Sequence, residues 1–194
     1  MRSPWVGRSK GDGPLTHRLE GSNLSPEELS LLQNTAQSAT MYIETLTQVG
    51  NSNDPDAAIP VLLLAASDVA ATAARLGTAD DVPLPATTYD HAEESNFAHA
   101  YQVILTHLAE LDVYTDVVDP VISSTTTTAS LAKDLTEIAD SLEHGLDCYH
   151  KGDLTYALWW WQYSCLTHWG ERCLAAARTL SLLVSHLRVG LGTE

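Results

Sequence analysis

Basic side chains are scarce. Ten Lys and Arg stand against 25 Asp and Glu, for a formal net charge of −15. A field of that sign repels a phosphate backbone and argues against nucleic-acid binding by the folded part. Cysteine is rare, with three residues and no C-x-x-C pair. Cys165 and Cys173 fall two helical turns apart, roughly 12 Å along an axis, too far for a disulfide. They read, with Cys148, as reduced thiols acting as small hydrophobes. No long apolar run is unbroken. The most apolar stretch, Ala57 to Ala74, is interrupted by Pro60 and Asp68, which suits a buried helix better than a bilayer span of about 20 residues. The N-terminus has basic residues but no continuous apolar segment, so no secretory signal and no membrane partner are expected, and the expected location is cytoplasmic. H-E-x-x-H, E-x-x-H, G-x-G-x-x-G, P-loop and G-x-S-x-G patterns are all missing, so neither a metal nor a cofactor is expected. Sustained period-two alternation and internal repeats are missing too, which predicts no sheet.

What is present is a chain of 194 residues, 44% hydrophobic, with a mean hydropathy of −0.07. That is enough for one domain with a sizeable core. The charge is uneven. Residues 1–24 carry Arg2, Arg8, Lys10 and Arg18 against Asp12 and Glu20, whereas the rest carries 6 basic and 23 acidic side chains. The acidity serves solubility, or steers a basic partner or a cation. With four glycines, two prolines and no apolar period, residues 1–24 predict a disordered tail, leaving 25–190 as the domain.

Helix signals recur along that domain. Ser25-Pro26-Glu27-Glu28 is a capping box with proline at the first helical position. Leu29, Leu32, Ala36, Ala39, Ile43 and Leu46 follow at helical spacing to Gly50, and Asn51 to Pro55 reads as a turn. A second helix is expected over about 59–76. A third starts near Ser95 or Asn96, with Phe97, Tyr101, Ile104, Leu105, Leu108 and Leu111 as its stripe. It frays through Val113–Val118 and stops before Asp119-Pro120. Thr125–Thr128 reads as a loop. A fourth helix spans about 130–146 on the seam Leu131, Leu135, Ile138, Leu142, Leu146, closed by Gly145 and the turn at His150 to Asp153. The fifth runs over 153–188 and holds four of the five tryptophans within fourteen positions.

On a helical wheel the buried face of that fifth helix centres on Gln162, with Leu158, Cys165, Leu166, Trp169, Cys173, Ala176, Leu180, Leu183, Val184 and Leu187 beside it. Thr167, Glu171, Arg178 and Ser185 fall opposite. Arg172 lies inside the buried sector and His168 at its edge. An unpaired amide or guanidinium in a core costs several kcal/mol, so partners must come from another helix. Asp134 and Glu137 on the fourth helix are the candidates, near Ser141 and His144. The cluster Asp134, Glu137, Gln162, His168 and Arg172 reads first as a polar network that fixes helix register, and second as a ligand or metal pocket. Trp159, Trp160 and Trp161 point three ways, which suits a core or a subunit contact, with Trp160 the best candidate for an exposed aromatic. Asp147-x-x-His150 followed by Asp153 reads as a solvated helix end, and His99 and His107 as exposed or core-edge.

Leu131-x-x-Asp134-Leu135-x-x-Ile138, Gly145-Leu146, Ala157-Leu158-Trp159-x-Trp161 and His168-Trp169-Gly170-Glu171, with Asp119-Pro120 upstream, resemble the bacterial "domain of unknown function 5063" family over roughly residues 100–185. The resemblance implies a small all-helical bacterial cytoplasmic domain and adds no activity or cofactor. Three positions depart from it: Gln162 where the family favours arginine, Arg172 where it favours histidine, and Ser141 where it favours an acidic residue. These departures favour the structural network. The chain therefore reads as an all-α, single-domain bundle of about five principal helices. Its expected function is a non-enzymatic protein-interaction or scaffold module, with a homodimer or another protein as partner. The competing reading is an enzyme or ligand-binding protein built on the pocket around His168.

Overall fold

Three helices begin where the sequence places a capping side chain, at Ser25, Asp54 and Ser130. The computed structural model describes residues 24–85, 95–119 and 121–190; apart from Leu24, the expected tail lies outside them. Helix α1, Pro26–Gly50, opens on a complete capping box: Glu28 N donates to Ser25 Oγ at 3.2 Å and Ser25 N to Glu28 Oε2 at 2.6 Å. Such a cap contributes about 1 kcal/mol. Helix α2, Pro55–Thr78, starts earlier than its apolar stripe, because Asp54 Oδ1 accepts from the amides of Asp56 and Ala57. Helix α3, Ala98–Leu108, ends where Ala109 turns to φ +47°.

The expectation of no sheet is wrong. Strands β1, Val113–Val117, and β2, Thr126–Ser130, pair antiparallel with Val113 opposite Ser130 and Val117 opposite Thr126. None of the strand residues is fully buried, and the inward side of β1 sets Tyr114 beside Asp116, so no apolar–polar alternation marks them in the sequence. Their β-branched threonines and valines are strand formers all the same.

Helix α4, Leu131–Lys151, runs past Gly145 and ends at Gly152, φ +90°. Gly145 is not a stop. A Cβ there would lie 2.0 Å from Trp161 Nε1, so the glycine admits the indole. The expected fifth helix is a rod of three pieces: α5, Leu154–Ser164, a π-helical turn, Cys165–Trp169, and α6, Gly170–Val189. A π turn widens the helix and shifts everything beyond it around the axis. Trp169, Cys173, Ala176 and Leu180 are nevertheless buried as the wheel expects, and two positions depart from it. Leu166, expected inside, is 60% exposed, and Leu187 is 64% exposed.

The core gathers α1, α2, α4 and the rod, with Trp161 and Trp169 fully buried among leucines. Helix α2 runs antiparallel to α6. Cys173 Sγ donates to Ala66 O at 3.2 Å and Cys165 Sγ to Ala73 O at 3.7 Å, which fixes their register. Among the described residues α2 alone is long and apolar enough to cross a membrane by length and composition, and 39% of that stretch is buried in the domain.

Candidate functional site

Three of the five clustered residues meet. Asp134 and Glu137 stand one turn apart on α4, and Arg172 reaches them from the third residue past the π turn. Its Nη1 lies 3.3 Å from Asp134 Oδ1 and donates a short hydrogen bond to Glu137 Oε2. Tyr114 of β1, which the sequence reading had placed at a fraying helix end, donates from Oη to Asp134 Oδ2 at 2.8 Å. Lys133 Nζ lies 3.7 Å from Glu137 Oε1. Both carboxylates are thus engaged on both oxygens.

Burial dominates the electrostatics. The Asp134 carboxyl is raised above its ordinary pKa by burial, which outweighs the hydrogen bond from Tyr114 and the charge of Arg172. The Tyr114 phenol is raised by burial and by its bond to Asp134. Glu171 is raised by burial and then by the charge of Asp116. The network ties the hairpin, α4 and α6 together.

Gln162 lies elsewhere. It is buried, but its partners are backbone: Oε1 accepts from Val82 N at 2.8 Å, and Nε2 donates to Leu76 O at 3.2 Å and Asp80 O at 3.1 Å. One amide so satisfies the carbonyls left over at the end of α2 and pins the following turn. It could do neither from the Arg172 network.

His168 is exposed on the π turn. It lines a groove of about 470 Å³ between α4 and the rod, whose α4 wall carries Glu137, Asp140, Glu143, His144 and Asp147 and whose rod wall carries Trp160, Tyr163 and Thr167. The described lining contains no lysine or arginine. Ser95 Oγ donates to Asp140 at 2.8 Å and Asn96 Nδ2 to Glu143 at 2.7 Å. The acidic row repeats every three or four residues on one face of α4, a spacing visible in the sequence that matches no cofactor motif.

Trp160 is half-buried rather than exposed. Its Nε1 donates to Ser141 O at 2.8 Å and its ring lies 4.4 Å from that of His144. Trp159, also half-buried, packs against Tyr163 with ring planes 10° apart and centroids 5.1 Å apart. Asp147 and His150 are exposed on the last turns of α4, His99 is exposed and His107 half-buried on α3. Among the described residues no group of three or more His, Cys, Asp and Glu is placed to hold a metal ion.

A family model described as "Domain of unknown function (DUF5063)" matches residues 27–186. None of the curated proteins matches the chain. The crystal structure of protein BF1032 from Bacteroides fragilis superposes with a TM-score of 0.60 at 14% identity, covering 80% of this chain and 91% of that one. At that identity the likeness is one of fold.

Proposed function

Given that the chain belongs to the DUF5063 family, we propose that it is a non-enzymatic interaction module whose groove between α4 and the rod receives a cationic segment of a partner protein. The observation that carries this reading is the groove's lining: a row of carboxylates on one wall, aromatic rings on the other, and no lysine or arginine among the described lining residues. Carboxylates supply the long-range attraction and ring faces hold a desolvated cation, worth about 1 kcal/mol each at exposed sites. The reading also draws support from the Arg172 network. Its carboxylates are already satisfied within the fold, which suits a clamp between elements better than a catalytic group. The expected setting is a bacterial cytoplasm.

Titration of a fluorescently labelled lysine-rich peptide tests this. Saturable binding that weakens with salt and quenches tryptophan emission is expected. Asp140→Asn with Asp147→Asn should abolish it, while Asp54→Asn with Asp56→Asn, equal in charge but on another helix, should leave it unchanged. Equal loss in both pairs, or in neither, would sink the proposal.

A further inference from the structure

The hairpin offers hydrogen bonds that the fold does not use. Val118 N donates to Thr125 O and Leu131 N to Asp112 O, both at 2.9 Å, so the pairs at the two ends of the ladder are bonded ones. Bonded and non-bonded pairs alternate along an antiparallel ladder. With Val113 opposite Ser130, the bonded pairs between those ends are Tyr114 with Ala129 and Asp116 with Thr127. The amides and carbonyls of Val113, Thr115 and Val117 therefore point away from β2, and those of Thr126, Thr128 and Ser130 point away from β1.

The two outer edges differ. On β1 the Asp116 carboxylate covers the Val117 amide, which donates to its Oδ1 at 2.9 Å. A charge so placed turns away the carbonyls of an arriving strand. On β2, Ser130 is taken up as the cap of α4. Thr126 and Thr128 are exposed, and their amides meet no acceptor among the described residues. The strand carries no charge and no proline. Its nearest charged neighbours in sequence, Asp119 at the loop end and Lys133 at the α4 end, differ in sign.

We propose that β2 pairs antiparallel with β2 of a second copy, about a two-fold axis at Thr127. Thr126 then lies opposite the partner's Thr128, and Thr128 opposite the partner's Thr126. Each copy contributes both amides and both carbonyls of these threonines, and all of them are bonded. The strand order becomes β1, β2, β2, β1. Two strands alone make a marginal sheet, which further strands support. Antiparallel pairing sets the Lys133 end of each copy beside the Asp119 end of the other, unlike charge to unlike. The two Asp116 carboxylates stand three strand spacings apart, about 14 Å, farther than the Debye length of about 8 Å at physiological salt. A neutral edge is where two chains of net charge −15 meet at least electrostatic cost, and its free groups match themselves under the symmetry commonest in soluble dimers. A foreign strand would use the same amides; the opposite charges at the two ends of this strand favour its own copy. The inference does not rest on the acidic groove.

Cross-linking and sedimentation of the full chain read this directly. The axis brings the Thr127 α-carbons of the two copies to about 4.5 Å as a non-bonded pair, within disulfide reach. Thr127→Cys should form a linked dimer on oxidation, the native thiols being buried, whereas Thr115→Cys, on β1, should not. In sedimentation equilibrium the wild type should form a dimer that dissociates on dilution. Thr128→Pro removes one outward N–H from each copy without touching the ladder to β1, and should weaken association by about tenfold or more. Thr126→Lys with Thr128→Lys sets like charges opposite each other and should give a monomer with the circular dichroism of the wild type. Mixed with chains carrying Thr126→Glu and Thr128→Glu, it should form a heterodimer. A wild type that stays monomeric throughout would overturn the proposal and leave the edge to a foreign strand. Equal cross-linking through Thr127→Cys and Thr115→Cys, a dimer that survives the lysine pair, or failure of the two charged chains to associate would overturn it too. None of these outcomes bears on peptide binding in the groove.

Discussion

Gly145 and Arg172 show how much one residue can decide. An alanine methyl at 145 would sit within 2.0–2.6 Å of the Trp161 indole, so the ring or the helix must move. Gly145→Ala should lose about 1–3 kcal/mol in urea unfolding despite its better helix propensity. Arg172→Met leaves Asp134 and Glu137 facing each other without their shared cation, and a loss of about 1–3 kcal/mol is expected. Asp134 gives a pH signature. Its folded carboxyl titrates above the unfolded one, so the folded state holds that proton more tightly. Its contribution to stability is complete below the ordinary carboxylate range and is lost as pH rises through the folded value. The advantage of wild type over Asp134→Asn should therefore grow as pH falls from about 6 to about 4. The thiols should be inert. Burial pushes Cys148 and Cys165 up to about 11 and Cys173 up to about 12. A disulfide reagent near neutral pH should label none quickly in the native chain and all three on unfolding.

Among elements, the π turn matters most. It behaves as one residue inserted into an α-helix. Deleting Thr167 should let the rod run on as plain α-helix and rotate α6 by about 100°, carrying Arg172 off α4. The deletion and Arg172→Met should then fail to add: the double variant should be little less stable than the deletion alone, measured in a double-mutant cycle. This turn also marks where sequence reading stops being sufficient. Up to Gln162 the caps and stripes placed the helices closely, because caps and apolar spacing are local properties. Pairing of Arg172 with Asp134 and Glu137 was legible from the rule that buried charges need mates. The exposure of Leu166 was not, since a widened turn leaves no local mark in composition. Tyr114 was hidden for another reason. Its strand sets Tyr114 beside Asp116 on the inward side, so the apolar–polar alternation that announces a strand never arises.

Across the whole molecule, the excess of acidic over basic side chains works against compactness. Added sodium chloride should raise the melting temperature over the first few tenths molar, as screening relieves self-repulsion. A flat response would mean that the acidic row on α4 is already offset within the folded chain.

The crowding of indoles into one helical hairpin has a practical consequence. Trp160 and Trp161 donate to carbonyls of α4, Trp159 packs against Tyr156 and Tyr163 of its own helix, and Trp169 closes back on Ser164. Ultraviolet emission from these four of the chain's five tryptophans is therefore an optical gauge of one event, the docking of the rod on α4. It will stay nearly blind to fraying of α1 and α2, so a probe placed on those helices is needed to see whether the two halves melt together.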